Sequence, residues 1–134
     1  MDGLPHREPF VFVERLVERV PGESAVCEKT FAADDPMFRG HFPGNPIVPG
    51  VILTEALAQT AGLAAADATP GGFLLSAIRA MKFPAPARPG QLLTLRARRS
   101  GTLGPLLQFD VEAVADGVTV AAGQVILNRT DPET

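Results

Sequence analysis

The chain has 134 residues, of which 46% are hydrophobic and 20% are charged, and its formal net charge is -3 at pH 7. This length and apolar content predict one globular domain, residues 1–134, large enough to bury a core. The net negative charge gives no support to nucleic-acid binding. A single cysteine, Cys27, excludes an internal disulfide and favours a reducing, cytoplasmic location.

Two antiparallel strands are predicted near the start of the chain. Residues 10–20 are rich in β-branched and aromatic side chains and then group their apolar residues in pairs, which predicts a strand with a bulge. Pro21-Gly22 signals a turn, and residues 25–31 form the returning strand. Cys27 lies in this strand, so packing is favoured over catalysis. The first residues lack an apolar run behind a basic cap, so no signal peptide is expected.

A rigid loop over residues 40–50 leads into the longest apolar stretch. Three prolines and three glycines in eleven residues exclude a helix or a central strand there. Pro49-Gly50 favours a helix start, because proline's missing N–H costs nothing at that position. From Val51 to Ala66 the clearly polar side chains are Thr54, Glu55, Gln59 and Thr60. A helix so apolar should be buried, but it is short for a membrane span and carries a carboxylate.

After a stop signal at Thr69–Gly72, four more strands are predicted, at residues 73–83, 91–99, 106–115 and 118–128. Gly101–Pro105 is expected to turn the chain, and Asp116-Gly117 is a strong hairpin dipeptide. One helix with about six strands predicts an α+β domain, in which the helix lies on one face of an antiparallel sheet. Such a sheet covers only part of an apolar helix, which favours a homodimer.

His41 on the loop and Glu55 on the helix are the candidate catalytic residues. A structural role is the alternative for each: a loop histidine bonded to backbone, or a glutamate serving a capping box or the helix dipole. A capping box needs Ser, Thr, Asp or Asn three positions earlier, where this chain has Ile52. A carboxylate among apolar residues is costly without a partner or a function, so a functional or paired Glu55 is favoured.

The motif His-Phe-Pro-Gly-Asn-Pro-Ile-Val-Pro-Gly-Val from His41 to Val51, with Glu-Ala-Leu-Ala-Gln from Glu55, resembles the signature of the FabZ-type 3-hydroxyacyl-[acyl carrier protein] dehydratases. Leu-Pro-His-Arg-Glu-Pro-Phe from Leu4 and the Phe-x-x-Pro-x-x-Pro-Gly segment from Phe83 agree with the same family. The resemblance implies a hotdog fold, an antiparallel sheet wrapped around one long central helix. It also implies a lyase acting in fatty-acid or related acyl-chain biosynthesis.

The reaction implied is loss of water from a (3R)-hydroxyacyl thioester to give a trans-2-enoyl thioester, on acyl carrier protein or coenzyme A. It needs a base, an acid and stabilisation of the carbonyl oxygen. His41 can supply the base and Glu55 the acid, directly or through a water, if burial keeps the carboxyl protonated. The backbone N–H groups of Gly50 and Val51 at the helix start can bind the thioester oxygen. The resemblance places His41 and Glu55 across a dimer interface and allows a trimer of dimers.

Two other functions remain open: a hotdog acyl thioesterase, and a non-catalytic acyl-binding module. The His-Phe-Pro-Gly loop argues against the first, and an intact His–Glu pair argues against the second. No cofactor, nucleic-acid partner or membrane association is expected. His6 and His41 lack the spacing logic of a metal site, so no metal is predicted.

Two sets of residues are candidates for substrate contacts. An apolar tunnel for the acyl chain can be lined by phenylalanines, although core packing is equally consistent for each of Phe38, Phe42, Phe73 and Phe83. An acidic carrier protein needs a basic patch for docking. Six of the twelve basic residues are concentrated between residues 79 and 99 and are the candidates for this patch, with a solvated strand face as the alternative: Arg79, Lys82, Arg88, Arg96, Arg98 and Arg99.

Overall fold

The computed structural model describes residues 11–39, 44–66 and 72–130, which form six strands and one α-helix. In chain order the elements are β1 (Arg15–Val20), β2 (Ser24–Thr30), a 3₁₀ helix (Pro36–Arg39), α1 (Gly50–Ala65), β3 (Phe73–Lys82), β4 (Leu92–Leu103), β5 (Leu106–Ala115) and β6 (Val118–Arg129). The strands form one sheet in the order β1-β2-β4-β5-β6-β3, and every neighbouring pair is antiparallel. The predicted α+β class and element order are confirmed.

The core lies between helix α1 and one face of the sheet. Leu93, Leu95 and Ala97 of β4 are buried, as their alternation with polar residues predicts. Strand β5 alternates in the same way, and its Phe109 is completely enclosed. Helix α1 packs mainly on β4 and β2, in the middle of this buried face. Eleven of its sixteen residues are buried, so the predicted burial of the apolar helix is confirmed.

The far end of α1 is closed by the turn between β1 and β2. The backbone N–H of Gly22 donates to the carbonyl oxygen of Ala64 at 2.8 Å, and the Arg19 guanidinium donates to the carbonyl oxygen of Ala66. These donors satisfy carbonyl groups that a helix leaves without intrahelical partners at its C-terminus, and the positive charge suits the helix dipole there. The predicted stop at residues 69–72 lies outside the described residues except for Gly72.

The first predicted strand is shorter than expected. It begins at Arg15, although the predicted bulge is present between Leu16 and Glu18. The chain before it turns toward the helix: the Phe12 N–H donates to the side-chain oxygen of Gln59 at 2.9 Å, and Val13 enters the core. Val13 therefore packs in the core instead of pairing in the sheet.

The predicted turn over Gly101–Pro105 was wrong at its start. Strand β4 continues through Gly101 to Leu103, with a register shift after Arg99, and the turn is limited to Gly104-Pro105. Gly101 is tolerated inside the strand because the adjacent bulge accommodates it. The Asp116-Gly117 hairpin is confirmed, since both residues have positive φ, 51° and 75°, as a primed turn requires.

Candidate active site

Helix α1 begins at Gly50, directly after Pro49, which is the N-cap and makes no side-chain capping bond. The N–H groups of Ile52 and Leu53 donate to the Pro49 carbonyl oxygen at 3.0 and 3.1 Å. The two preceding N–H groups, of Gly50 and Val51, have no intrahelical acceptor because they open the helix. The helix start therefore offers two backbone donors, and its dipole favours negative charge nearby.

Glu55 lies half-buried in the second turn of α1. The helix places Pro49 at the N-cap and Ile52 at the third helical position, where a capping-box acid would stand. Glu55 is three positions further along, so the capping-box alternative is wrong. The first turn of α1 contains no acidic residue, which leaves Glu55 outside the range of a first-turn dipole partner.

An open apolar cleft of about 360 Å³ lies beside Glu55. It is lined by Val51 and Thr54 of the same helix and by Leu75 and Ile78 of β3. The Thr54 hydroxyl donates to the Gly50 carbonyl oxygen at 2.8 Å, so this polar side chain turns its hydroxyl back onto the helix. The side chain of Glu55 therefore places a carboxyl group in a cleft whose other lining side chains are largely apolar.

The β3 side of this cleft is exposed although it faces the helix. Leu75 and Ile78 pair in register with Leu127 and Val125 of β6, whose side chains are buried in the core. Residues opposite one another on antiparallel strands share a face, so Leu75 and Ile78 point to the helix side of the sheet. They are nevertheless 43% and 50% exposed, because β3 is an edge strand that extends beyond the cover of α1.

A second open cavity, of about 480 Å³, adjoins the other side of the helix start. Phe83 lies against the first residue of the helix there: a Cβ built on Gly50 would be 3.0 Å from the Cζ atom of the Phe83 ring. The remaining lining is mostly apolar and consists of Ile47, Val48, Leu53, Pro84, Ala85, Pro86 and Ala87.

The four phenylalanines considered for a tunnel wall have different surroundings. Phe38 is buried in the main core, which agrees with its structural alternative. Phe73 is partly buried, with the Arg129 guanidinium 4.9 Å from its ring centre. Phe83 borders the cavity at the helix start, and Phe42 lies outside the described residues.

The six basic residues considered for docking differ in their surroundings. Arg96 and Arg99 are paired with Glu112 and Glu23, at 3.2 and 2.8 Å. Such partly exposed pairs suit a solvated strand face. The same interpretation fits Arg98, which is opposite Asp110 in register. Arg79 lies on β3, its guanidinium 3.4 Å from the Gln108 amide oxygen; Lys82 ends that strand, and Arg88 lies in the following loop.

His41, the predicted base, lies outside the described residues, which resume at Gly44. The predicted packing role of Cys27 is confirmed: its side chain is fully buried. Burial raises the pKa of the Cys27 thiol, and a hydrogen bond with Thr60 offsets only part of this effect. A thiol held protonated in this way is a poor nucleophile.

The described residues contain neither a metal-binding cluster nor a membrane-spanning helix. Within residues 11–39, 44–66 and 72–130, no group of three or more His, Cys, Asp or Glu side chains is arranged to hold a metal ion. Over the same ranges, no helix combines the length and apolar character needed to cross a membrane.

Comparison with solved structures identifies the architecture as a hotdog fold. A chain of the dehydratase heterocomplex ApeI:P from Xenorhabdus doucetiae superposes with a TM-score of 0.79 at 19% identity, over 98% of this chain and 90% of that one. An HP0420 homologue from Helicobacter felis gives a TM-score of 0.74 at 17% identity, over 98% of this chain and 89% of that one. At these identities the similarity establishes the fold alone.

Sequence comparison defines the family. The model of the ApeI-like family, described as ApeI dehydratase, matches residues 17–124. The 3-hydroxyacyl-[acyl-carrier-protein] dehydratase FabZ of Ruminiclostridium cellulolyticum is 41% identical over 125 residues, covering 91% of this chain and 88% of that protein. The chain belongs to the ApeI-like dehydratase family, and the predicted relationship to FabZ-type dehydratases is confirmed.

Two features of the site were not predicted from the sequence. The exposed apolar wall of Leu75 and Ile78 could have been predicted from the sequence. Residues 73–83 include apolar side chains in both alternating sets of positions, a pattern typical of a strand that another element or chain covers on each face. The contact between Phe83 and Gly50 joins residues 33 positions apart and leaves no local pattern in the sequence.

Proposed function

We propose that this protein is a lyase that removes water from a (3R)-3-hydroxyacyl thioester and releases the trans-2-enoyl thioester during acyl-chain biosynthesis. The observation that carries the proposal is the position of Glu55, in an apolar cleft close to a helix start with two available backbone donors. Family membership and the 41% identity to a protein named as a 3-hydroxyacyl-[acyl-carrier-protein] dehydratase support the same reaction.

In the proposed reaction, His41 removes the proton from the carbon next to the thioester carbonyl. The electron pair of that C–H bond becomes the new double bond as the bond from C3 to the hydroxyl oxygen breaks. Glu55 gives its proton to the departing hydroxyl, which leaves as water. The N–H groups of Gly50 and Val51 stabilise the negative charge that develops on the carbonyl oxygen.

The active form proposed for this enzyme is a homodimer, which can assemble further as a trimer of dimers. The support is the exposed apolar surface formed by Leu75 and Ile78 with Val51, which is 76% exposed. Because β3 is an edge strand, a second copy can pair with it and cover this surface at the same time. His41 of one subunit is then proposed to face Glu55 of the other.

The proposed carrier of the acyl group is acyl carrier protein, with coenzyme A as the alternative. Arg79, Lys82 and Arg88 remain as candidates for docking an acidic carrier, since Arg96 and Arg99 already pair with carboxylates. We propose a cytoplasmic location, which the single buried cysteine supports because reduced thiols are stable there.

An assay with 3-hydroxyacyl thioesters tests the reaction. The purified protein is incubated with the carrier-bound and the coenzyme A forms of one substrate while enoyl absorbance and free thiol are followed. Enoyl formation without thiol release is expected. Thiol release without enoyl product indicates a thioesterase, and binding without either product indicates an acyl-binding module.

A further inference from the structure

The chain between β3 and β4, residues 83–91, lies against the segment that leads into helix α1. We call residues 83–91 the buttress segment. It contacts residues 45–50 at three points: at Asn45, at Val48 and at Gly50. Two of these residues lie in the segment that leads into the helix, and the third is the first residue of the helix. Asn45 lies four residues after His41 in the sequence.

The first contact joins two exposed side chains. The Arg88 guanidinium donates to the side-chain oxygen of Asn45 at 2.6 Å. The backbone N–H of Arg88 donates to the side-chain oxygen of Gln91 at 2.8 Å, and the Gln91 amide donates to Asp116 at 3.0 Å. The backbone of Arg88 is thereby linked through Gln91 to the tight turn between β5 and β6, which attaches this part of the buttress segment to the sheet.

The second contact is a backbone hydrogen bond in the protein interior. The N–H of Val48 donates to the carbonyl oxygen of Ala87 at 2.7 Å, and both side chains are buried. A buried backbone group that loses its partner is costly, so this bond fixes the distance between the buttress segment and the residue two positions before the helix.

The third contact is made at the helix start itself. The Phe83 ring occupies the space where a side chain of residue 50 would lie, since an added Cβ would come within 3.0 to 3.2 Å of three ring atoms. The ring therefore limits movement of the backbone that carries the Gly50 and Val51 N–H groups. Donors that bind a developing oxyanion work best when their positions are fixed before the reaction.

We propose that the buttress segment holds the start of α1 in its reactive position, and that Phe83 and Arg88 are positioning residues. The proposal rests on the function proposed above, and it gives Arg88 a role different from carrier docking. A small displacement of catalytic groups can reduce turnover strongly without weakening substrate binding to the same extent.

The test uses Arg88→Met, which removes the donor and keeps most of the aliphatic length. Arg96→Met is the matched control, because Arg96 also makes one exposed hydrogen bond, to Glu112, on the outer face of the sheet. Hydrogen–deuterium exchange over residues 44–53 is measured together with turnover of a small 3-hydroxyacyl thioester. If Arg88→Met does not fold, Asn45→Ala removes the same hydrogen bond from its other partner.

Arg88→Met is expected to speed exchange over residues 44–53 and to lower kcat about 10-fold, with KM changed by less than about twofold. Arg96→Met should change neither measurement. Asn45→Asp keeps an acceptor for Arg88 and should retain both the protection and the turnover of wild type. Phe83→Leu should lower protection over the same residues.

Wild-type exchange and wild-type kcat in Arg88→Met would overturn the proposal. So would a loss confined to the KM of carrier-bound substrate, which identifies Arg88 as a docking residue. Failure of the proposed function has a different result: the wild-type enzyme would dehydrate no 3-hydroxyacyl thioester. In that case the exchange measurements still decide whether the buttress segment holds the helix start.

Discussion

Helix α1 has different surroundings at its two ends. From the middle of the helix onward, Leu57 and Leu63 are at most 2% exposed, and the last carbonyl groups receive hydrogen bonds from the β1–β2 hairpin. In its first turn, Val51 is 76% exposed, and the β3 residues on the same side of the sheet are exposed as well. The chain closes its own core around the end of the helix and leaves the start of the helix open.

The open end combines features that are costly in a monomer. An edge strand with exposed apolar residues, such as Ile78, favours association with another chain. The half-buried Glu55 and the backbone donors of the helix start lie beside it. The closed end therefore accounts for stability, whereas the open end is the location of the proposed assembly and of the proposed chemistry. Substitutions in the two regions should have separable effects.

The largest expected effect comes from Glu55→Gln at the open end. An amide cannot give a proton to the leaving hydroxyl, so turnover should fall on the order of 100-fold to 10,000-fold. Thermal unfolding should remain close to wild type because the side-chain shape is kept. Glu18→Gln, on exposed strand β1, is the control and should retain activity. Near wild-type turnover in Glu55→Gln would remove Glu55 from the mechanism.

Leu57→Ala tests the closed end. Leu57 is fully buried, so truncation should lower the free energy of unfolding by about 2 to 5 kcal/mol through lost burial and the cavity left behind. Chemical denaturation measures the change. The control is Leu103→Ala, since Leu103 is 78% exposed and its truncation should cost less than about 0.5 kcal/mol. Equal costs for the two variants would contradict the assignment of the closed core.

Ile78→Lys tests assembly at the open end. A charge in the apolar surface of β3 should weaken the dimer by about 2 kcal/mol or more, roughly 30-fold in its dissociation constant. Analytical ultracentrifugation over a concentration series measures this shift. Val118→Lys changes an equally exposed apolar residue, at the hairpin between β5 and β6, and should leave the dimer intact. Similar dissociation in both variants would argue against an interface at β3.

A smaller effect is expected at the contact between β3 and its neighbour β6. A Cβ on Gly123 would come within 2.7 Å of the Met81 Cα atom, which is backbone and cannot turn aside. Gly123→Ala should therefore lower the free energy of unfolding by about 1 to 3 kcal/mol through overpacking. At Gly101 the nearest atom is 3.8 Å away, so Gly101→Ala should be tolerated better. Equal loss of stability in both variants would exclude this crowding as the cause.

Local patterns predicted most of the fold. The alternation at Leu93, Leu95 and Ala97 identified the buried face of β4, and Asp116-Gly117 identified the last hairpin, because both signals come from neighbouring residues. The strand continuing through Gly101 was missed, since glycine marks either a turn or a bulge and only tertiary pairing decides between them.

The site was predicted only where its features come from residues that are neighbours in the sequence. The helix start at Gly50 follows from Pro49-Gly50 and was found at that residue. The hydrogen bond between Arg88 and Asn45 joins residues 43 positions apart, and Arg88 was considered only for docking. Contacts of this kind depend on the packing of two loops, which composition and periodicity do not encode.

Mixing of two inactive variants tests the central claim, that a second copy completes the open end and its active site. His41→Ala and Glu55→Ala proteins are combined under conditions that exchange subunits, and exchange is verified with tagged chains. Random pairing makes about half of the dimers mixed, so about a quarter of all sites should recover activity if each site uses both subunits. Verified mixed dimers without recovered activity would contradict the shared site.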